Sequence, residues 1–283
     1  MSYKNFIIIV TGVFAVLLYN PATGFAHGVL NDTVESFAVL GSSTVTNTGT
    51  SNVTGDLGVS AGSAVTGLPP LVLTGTVHAA DAVAANARTD AFTAYNNLAG
   101  TPSSGDLTGQ NLGGLTLTPG VYHFNSSAQL TGTLILDGQG SSTASWIFQI
   151  GSTITTASNA SIQVINSGSA DNVFWQVGSS ATIGTGTSFV GTILANQSIT
   201  LTTGANLVGR AVALNGAVTL DTNNINIPAH VILPSPSPFP SPSPEPSPSP
   251  EPSPSPEPSP SPEPSPSPSP DDDTIPPPVS PII

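Results

Sequence analysis

Five short segments share one pattern, and that pattern leaves few folds open. Each reads as an apolar residue followed by threonine, a second threonine or serine two or three residues on, and then glycine or asparagine. They begin at Val45-Thr46, Ile154-Thr155, Ala181-Thr182, Ile199-Thr200 and Val218-Thr219. Thr182 and Thr200 are 18 residues apart and Thr200 and Thr219 are 19 apart; the 27 from Thr155 to Thr182 fit one coil plus a loop. A repeat of this length with short strands predicts a β-solenoid, because one unit cannot bury its apolar side alone and must stack on the next. Stacked coils lie about 4.8 Å apart, so equivalent residues form columns. One outward column is expected to hold Thr46, Thr155, Thr182, Thr200 and Thr219. A second, one turn later, is expected to hold Thr48, Ser158, Thr185, Thr203 and Thr222. Threonine is also a good residue for any solvated strand. Ordinary solvated strands mix in Lys and Glu, however, and these segments do not.

The gap between the first two segments holds the best helix signal. Val77, Ala80, Ala84, Ala87, Ala91, Tyr95 and Leu98 recur at three- and four-residue steps, predicting a helix over Thr76–Ala99. Thr74 or Thr76 is placed to cap its start, and Gly100 stands where a terminating glycine belongs. The stripe is mostly alanine, so the helix can approach a flat partner closely. His78 is expected at the helix start as a capping or packing residue, with Asp81, Arg88 and Asp90 on the solvated side. Further strands are expected at Leu115–Thr118 and Leu130–Leu136.

The two ends read differently. Lys4, the apolar run Phe6–Leu18 and the small residues of Gly24-Phe25-Ala26 predict a secretory signal over 1–26, cleaved before His27. The alternative, a membrane anchor, needs about 20 apolar residues, and this run is shorter. From Pro234 onward Ser-Pro alternates, with Glu245, Glu251, Glu257 and Glu263 at a six-residue spacing. Proline at every second position forbids helix and sheet pairing and favours an extended polyproline spacer. The expected organisation is therefore a signal at 1–26, a β-helical domain at 27–233 and a disordered Pro/Ser/Glu-rich tail or linker at 234–283.

Composition removes several functions. The chain has 3 Lys and Arg against 16 Asp and Glu, a net charge of −13. Nucleic-acid binding and attraction to anionic membranes both need cations that are missing here. Zero Cys excludes disulfides, thiolate metal sites and thiol nucleophiles. The nine acidic residues of the body are scattered apart from Asp32 and Glu35. Arg210 is the only basic candidate on the repeats, which is poor material for a lyase or hydrolase. His27, His78, His123 and His230 lack metal-ligand spacing. No enzyme activity and no cofactor are expected. Trp146, Phe148, Phe174 and Trp175 alternate as core residues do. Sequons occur at Asn31, Asn52, Asn125, Asn159 and Asn196; a glycan at Asn159 or Asn196 would stand beside the threonine columns.

A rigid face of hydroxyls and methyls, without pocket or charge, matches another regular surface better than it matches a small molecule. Ice is one such surface and a crystalline polysaccharide another. β-branching fixes χ1, so threonine loses little rotamer entropy on contact. The stretches Phe37–Gly67, His78–Asn97, Leu115–Tyr122 (LTLTPGVY), Leu130–Leu136, Trp146–Ser158 (WIFQIGSTITTAS) and Asn172–Leu220 resemble the microbial ice-binding protein family. The resemblance covers nearly all of 37–228. It implies a mostly β fold, a discontinuous right-handed parallel β-helix with one long α-helix packed alongside. It also implies adsorption to ice through a flat β-helix face, with inhibition of growth and recrystallisation and thermal hysteresis. Family members often carry T-A/G-x-T/N on that face. The nearest forms here are Thr155-Thr156-Ala157-Ser158, Thr182-Ile183-Gly184-Thr185, Thr200-Leu201-Thr202-Thr203 and Thr219-Leu220-Asp221-Thr222, whose second position is Thr, Ile or Leu. The expected partner is the ice surface, met by a secreted monomer whose tail can tie it to cell wall or extracellular matrix. The rival expectation is a cell-surface or matrix module that binds polysaccharide or serves as an adhesin.

Overall fold

A computed structural model describes residues 29, 30 and 32–228. The signal segment, His27, the sequon asparagine Asn31, His230 and the Pro/Ser tail lie outside the described residues.

Every strand pairing is parallel, and successive strands climb a stack of coils. Each full coil carries three short strands. The one that begins at Trp146 uses Trp146–Ile150, Ile154–Thr156 and Ser161–Ile165. One face is a seven-stranded sheet and bears the threonines. A 15-stranded sheet folds round a corner to supply the other two faces. The eight-residue strands Ser188–Ala195 and Asn206–Ala213 take that corner without a break. They bend at Gly191 and Gly209, which have positive φ and stack directly on one another. A Cβ on Gly209 would strike the Gly191 carbonyl, so only glycine fits.

The stacking order is not the chain order. The coil ending at Asn226 stacks on the one that begins at Phe37, through Ala211 with Val39, Thr219 with Thr46 and Asn224 with Asn52. A further coil, Asp56–Val59, Ala64–Thr66 and Val72–Thr74, lies beyond it. The chain then makes the strand Val77–Ala79 and crosses to the far end as the helix Ala82–Gly100. It resumes at Gly105–Asp106, beside Gly120–Phe124. The β-helix is thus discontinuous, and the long helix is the crossover between its halves.

The helix starts six residues later than its stripe predicts. Val77 and Ala80 fit the helical spacing, but Val77–Ala79 pairs with Leu57–Val59 as a strand. Asp81, not Thr74 or Thr76, is the cap, accepting the Ala84 N–H at 2.8 Å. That bond, and then a 2.8 Å contact with His78 Nδ1, hold its carboxyl below the usual range. At the other end Gln149 Nε2 donates to the Leu98 and Thr101 carbonyls, at 2.7 and 2.6 Å. The Leu98 carbonyl also accepts from the Thr101 N–H at 3.3 Å, so Gln149 reinforces the end of the helix.

Two apolar layers result. Inside the coils Trp146, Phe148 and Trp175 are fully buried, and the Phe148 and Trp175 rings stack 3.9 Å apart and nearly parallel. Both indole N–H groups donate to backbone, to Leu117 and Val190. Outside, Ala84, Ala87, Ala91, Ala94 and Leu98 pack the helix against Val121, Ile147, Phe174, Leu194 and Val212. Phe174 therefore faces the helix, not the interior of the coils. Leu130–Leu136, expected as one strand, is two, Ala128–Leu130 and Thr133–Asp137, with a corner at Thr131-Gly132.

The scarce cations are tied into this frame. Arg210 is buried, donating twice to the Glu35 carbonyl and lying 3.1 Å from Asp171. Arg88 reaches across to the Leu214 carbonyl and lies over the Phe92 ring at 4.9 Å, so it is not on a free solvated side.

Candidate functional site

The seven-stranded sheet repeats one small unit. In Ala181–Ile183 the outer two side chains point into the core and Thr182 points out. The same holds for Ile154–Thr156, Ile199–Leu201 and Val218–Asp221, whose inward residues are buried and whose threonine is exposed or half-buried. Strict alternation, with an inner residue large enough to fill the coil, fixes which side each threonine takes. Strand register then puts Thr155 opposite Thr182, Thr182 opposite Thr200, Thr200 opposite Thr219, and Thr219 opposite Thr46. All five predicted residues of the first column stand in one line. The Thr46 and Thr219 hydroxyls are hydrogen-bonded at 3.3 Å.

The line is longer than the five repeats. Thr66 continues it beyond Thr46, and Gln129 and then Asn111 continue it, without threonine, beyond Thr155. Thr66 was legible: Val65-Thr66-Gly67 has the same apolar–Thr–Gly form, 20 residues after Thr46. Gln129 carries no such signal.

The second column sits where the sheet turns toward the third face. Backbone bonds run from Asn159 N to Thr185 O, Gly186 N to Thr203 O, Gly204 N to Asp221 O and Thr222 N to Thr48 O. They place Ser158, Thr185, Thr203, Asp221 and Thr48 in sequence. Asp221 therefore occupies the place expected of Thr222. Thr222 belongs to the next position, with Asn159, Gly186, Gly204 and Gly49, all of positive φ. The physical reason is a corner one residue shorter: Thr219 is five residues before its third-face partner Asn224, whereas Thr200 is six before Asn206. The Asn223 side chain replaces the missing backbone. It is buried, accepts the Asp221 N–H at 2.6 Å and donates to the Thr202 and Ala205 carbonyls at 2.9 Å each.

Asp221 is the only ionisable side chain on the seven strands of this sheet. Its carboxylate accepts from the Thr203 hydroxyl at 2.5 Å and the Thr222 hydroxyl at 3.0 Å. The Thr185 and Thr202 hydroxyls are hydrogen-bonded at 3.3 Å. Below the surface, the Thr156 and Thr187 hydroxyls meet at 3.0 Å and Thr187 also donates to the Ala157 carbonyl. These inward hydroxyls brace the corner that carries the outward ones.

Other candidates fall elsewhere. His78 packs against Phe37 in a strand, and His123 bonds Asn125. Among the described residues no three His, Asp or Glu side chains gather as a metal site would require. Asn52 is on the third face in a ladder with Asn224, whereas exposed Asn159 lies at the corner beside Ser158. Asn196 is held at the opposite corner by Gly178 and Asn215.

The chain as a whole is similar to proteins of known function. A family model described as Ice-binding-like matches residues 39–226. An ice-binding protein of Nostoc sp. (strain HG1) is 62% identical over 195 residues, covering 69% of this chain and 72% of that one. The crystal structure of an ice binding protein from an Antarctic Biological Consortium superposes with a TM-score of 0.69 at 46% identity, over 70% of this chain and 90% of the other. One from the Antarctic ascomycete Antarctomyces psychrotrophicus gives 0.69 at 37% identity, over 71% and 99%.

Proposed function

Because the chain belongs to the ice-binding-like family and has an ice-binding, antifreeze function, we propose that its threonine sheet is the surface that meets ice. The single observation behind this reading is the unbroken line from Thr155 through Thr182, Thr200, Thr219 and Thr46 to Thr66, in strand register on a nearly uncharged face. Each side chain offers one methyl and one hydroxyl at a spacing set by the backbone. The methyl disfavours ordinary hydration, while the hydroxyl can take a place in an ordered water layer. Each contact is weak, and the sum along the face is large. χ1 is already restricted, so little entropy is lost on docking.

The second column contributes through Ser158, Thr185, Thr203 and Thr48. Adsorbed molecules pin the crystal plane. Ice must then grow as curved surface between them, which separates freezing from melting and slows recrystallisation. No bond is made or broken, and neither catalytic residue nor cofactor takes part. The protein works as a secreted monomer after removal of residues 1–26. The Pro/Ser tail of 234–283 projects the β-helix or attaches it to wall or matrix; its repeated Ser-Pro composition favours that spacer role.

A nanolitre osmometer tests the reading on the purified chain. A single ice crystal should become faceted and show a gap between melting and freezing. Smooth discs that grow freely at high protein concentration would contradict it. Fractionation of the native host tests the tail: deleting 234–283 should move the protein from the cell pellet to the medium.

A further inference from the structure

We infer that Asp221 limits the ice-matched area of the threonine face, an inference that rests on that face being the ice-binding one. The coil carrying Asp221 is the seam where the two halves of the discontinuous β-helix close, through Val218–Leu220 against Val45–Asn47. Its first-column residue, Thr219, keeps the line intact. Its second-column residue does not. A carboxylate stands between Thr203 on one side and Thr48 on the other.

Two consequences follow from its contacts. The hydroxyls of Thr203 and Thr222 both point their protons at Asp221, so neither is free to donate to an ordered water layer. The carboxylate also keeps its own hydration, since stripping water from an ion costs far more than stripping it from a hydroxyl. The matched patch is therefore interrupted at one corner of the seam. Ser158, Thr185 and Thr203 lie on one side of it and Thr48 on the other. The shortened corner explains why an aspartate is tolerated here: Asn223 holds the Asp221 backbone N–H, so the seam closes without help from the carboxylate.

D221N tests this most cleanly. Asn removes the charge and keeps one acceptor oxygen; Thr203 and Thr222 donate to different carboxylate oxygens, so one of the two hydroxyls must instead accept from the new amide. D221T also restores the hydroxyl–methyl unit. At equal concentration of the full chain, D221N should widen the freezing–melting gap by about twofold, because the hydrated ion is gone. D221T should widen it further. D137N, on the third face, serves as the control for net charge and should leave the gap unchanged. An unchanged or narrower gap in D221N, or an equal gain in D137N, would overturn the inference. Should D221T unfold, D221N still decides. Thr200→Tyr separates the two levels of the argument. If it abolishes hysteresis while D221N changes nothing, only the role of Asp221 fails. If it leaves hysteresis intact, the face assignment fails and this inference fails with it.

Discussion

The helix-covered face and the threonine face are built from the same coils by the same backbone repeat, yet their outward residues have opposite fates. On the covered face Val121, Ile147, Phe174, Leu194 and Val212 are buried under a stripe of alanines. On the other, Gln129 and the threonines at the same coil levels stay exposed or half-buried. The coil fixes spacing and flatness for both. The outward side chain decides whether the face needs a partner from its own chain. Large apolar residues demand burial, worth about 2 kcal/mol each, and the crossover helix supplies it. Threonine makes no such demand, so its face can stay bare.

One bulky residue placed on each face should separate the two most strongly. Ala91→Phe forces a ring between helix and sheet and should destabilise the chain by about 3 kcal/mol in urea unfolding. Thr182→Phe meets only solvent and should stay within about 0.5 kcal/mol of the parent. Equal losses would mean that the threonine face is not bare. Asn223→Ala probes what keeps that face flat at its seam. It removes the acceptor of the Asp221 N–H and the donor to the Thr202 and Ala205 carbonyls, of which Thr202 keeps the Ala205 N–H. A loss of about 3 kcal/mol is expected; a loss below about 1 would show that the short corner closes by backbone alone. The smallest effect belongs to the covered face. Among the described residues, Thr192 Oγ1 is the one buried side-chain polar atom without a hydrogen-bond partner. Thr192→Val should therefore raise the melting temperature slightly, by about 1 kcal/mol of stability. A clear fall would point to a partner for that hydroxyl.

These differences explain what could be read from the sequence. The first threonine column was legible because each threonine sits between two inward residues and the coils from Thr182 to Thr219 differ in length by only one residue. A register slip would have turned apolar residues outward. The second column was legible only where the corner keeps its length. At Thr219 the corner loses one residue, and the pattern of apolar residues gives no warning, since the replacement is a buried asparagine side chain. Val77 and Ala80 misled the helix reading for a related reason: three or four residues of helical spacing are compatible with a strand and a turn. Their strand identity depends on Leu57–Val59, which is remote in sequence. The order of the coils is equally non-local. Nothing near Thr46 announces that its neighbour is Thr219.

Whether ice meets the threonine sheet is decided by a matched pair of double variants. Thr182→Tyr with Thr200→Tyr disrupts two adjacent coils of that sheet. Ser188→Tyr with Val208→Tyr places the same bulk on exposed positions of the third face in the corresponding coils. Both should melt close to the parent. The freezing–melting gap around a single ice crystal should vanish in the first and persist in the second. A gap that persists in the first and vanishes in the second would contradict the account.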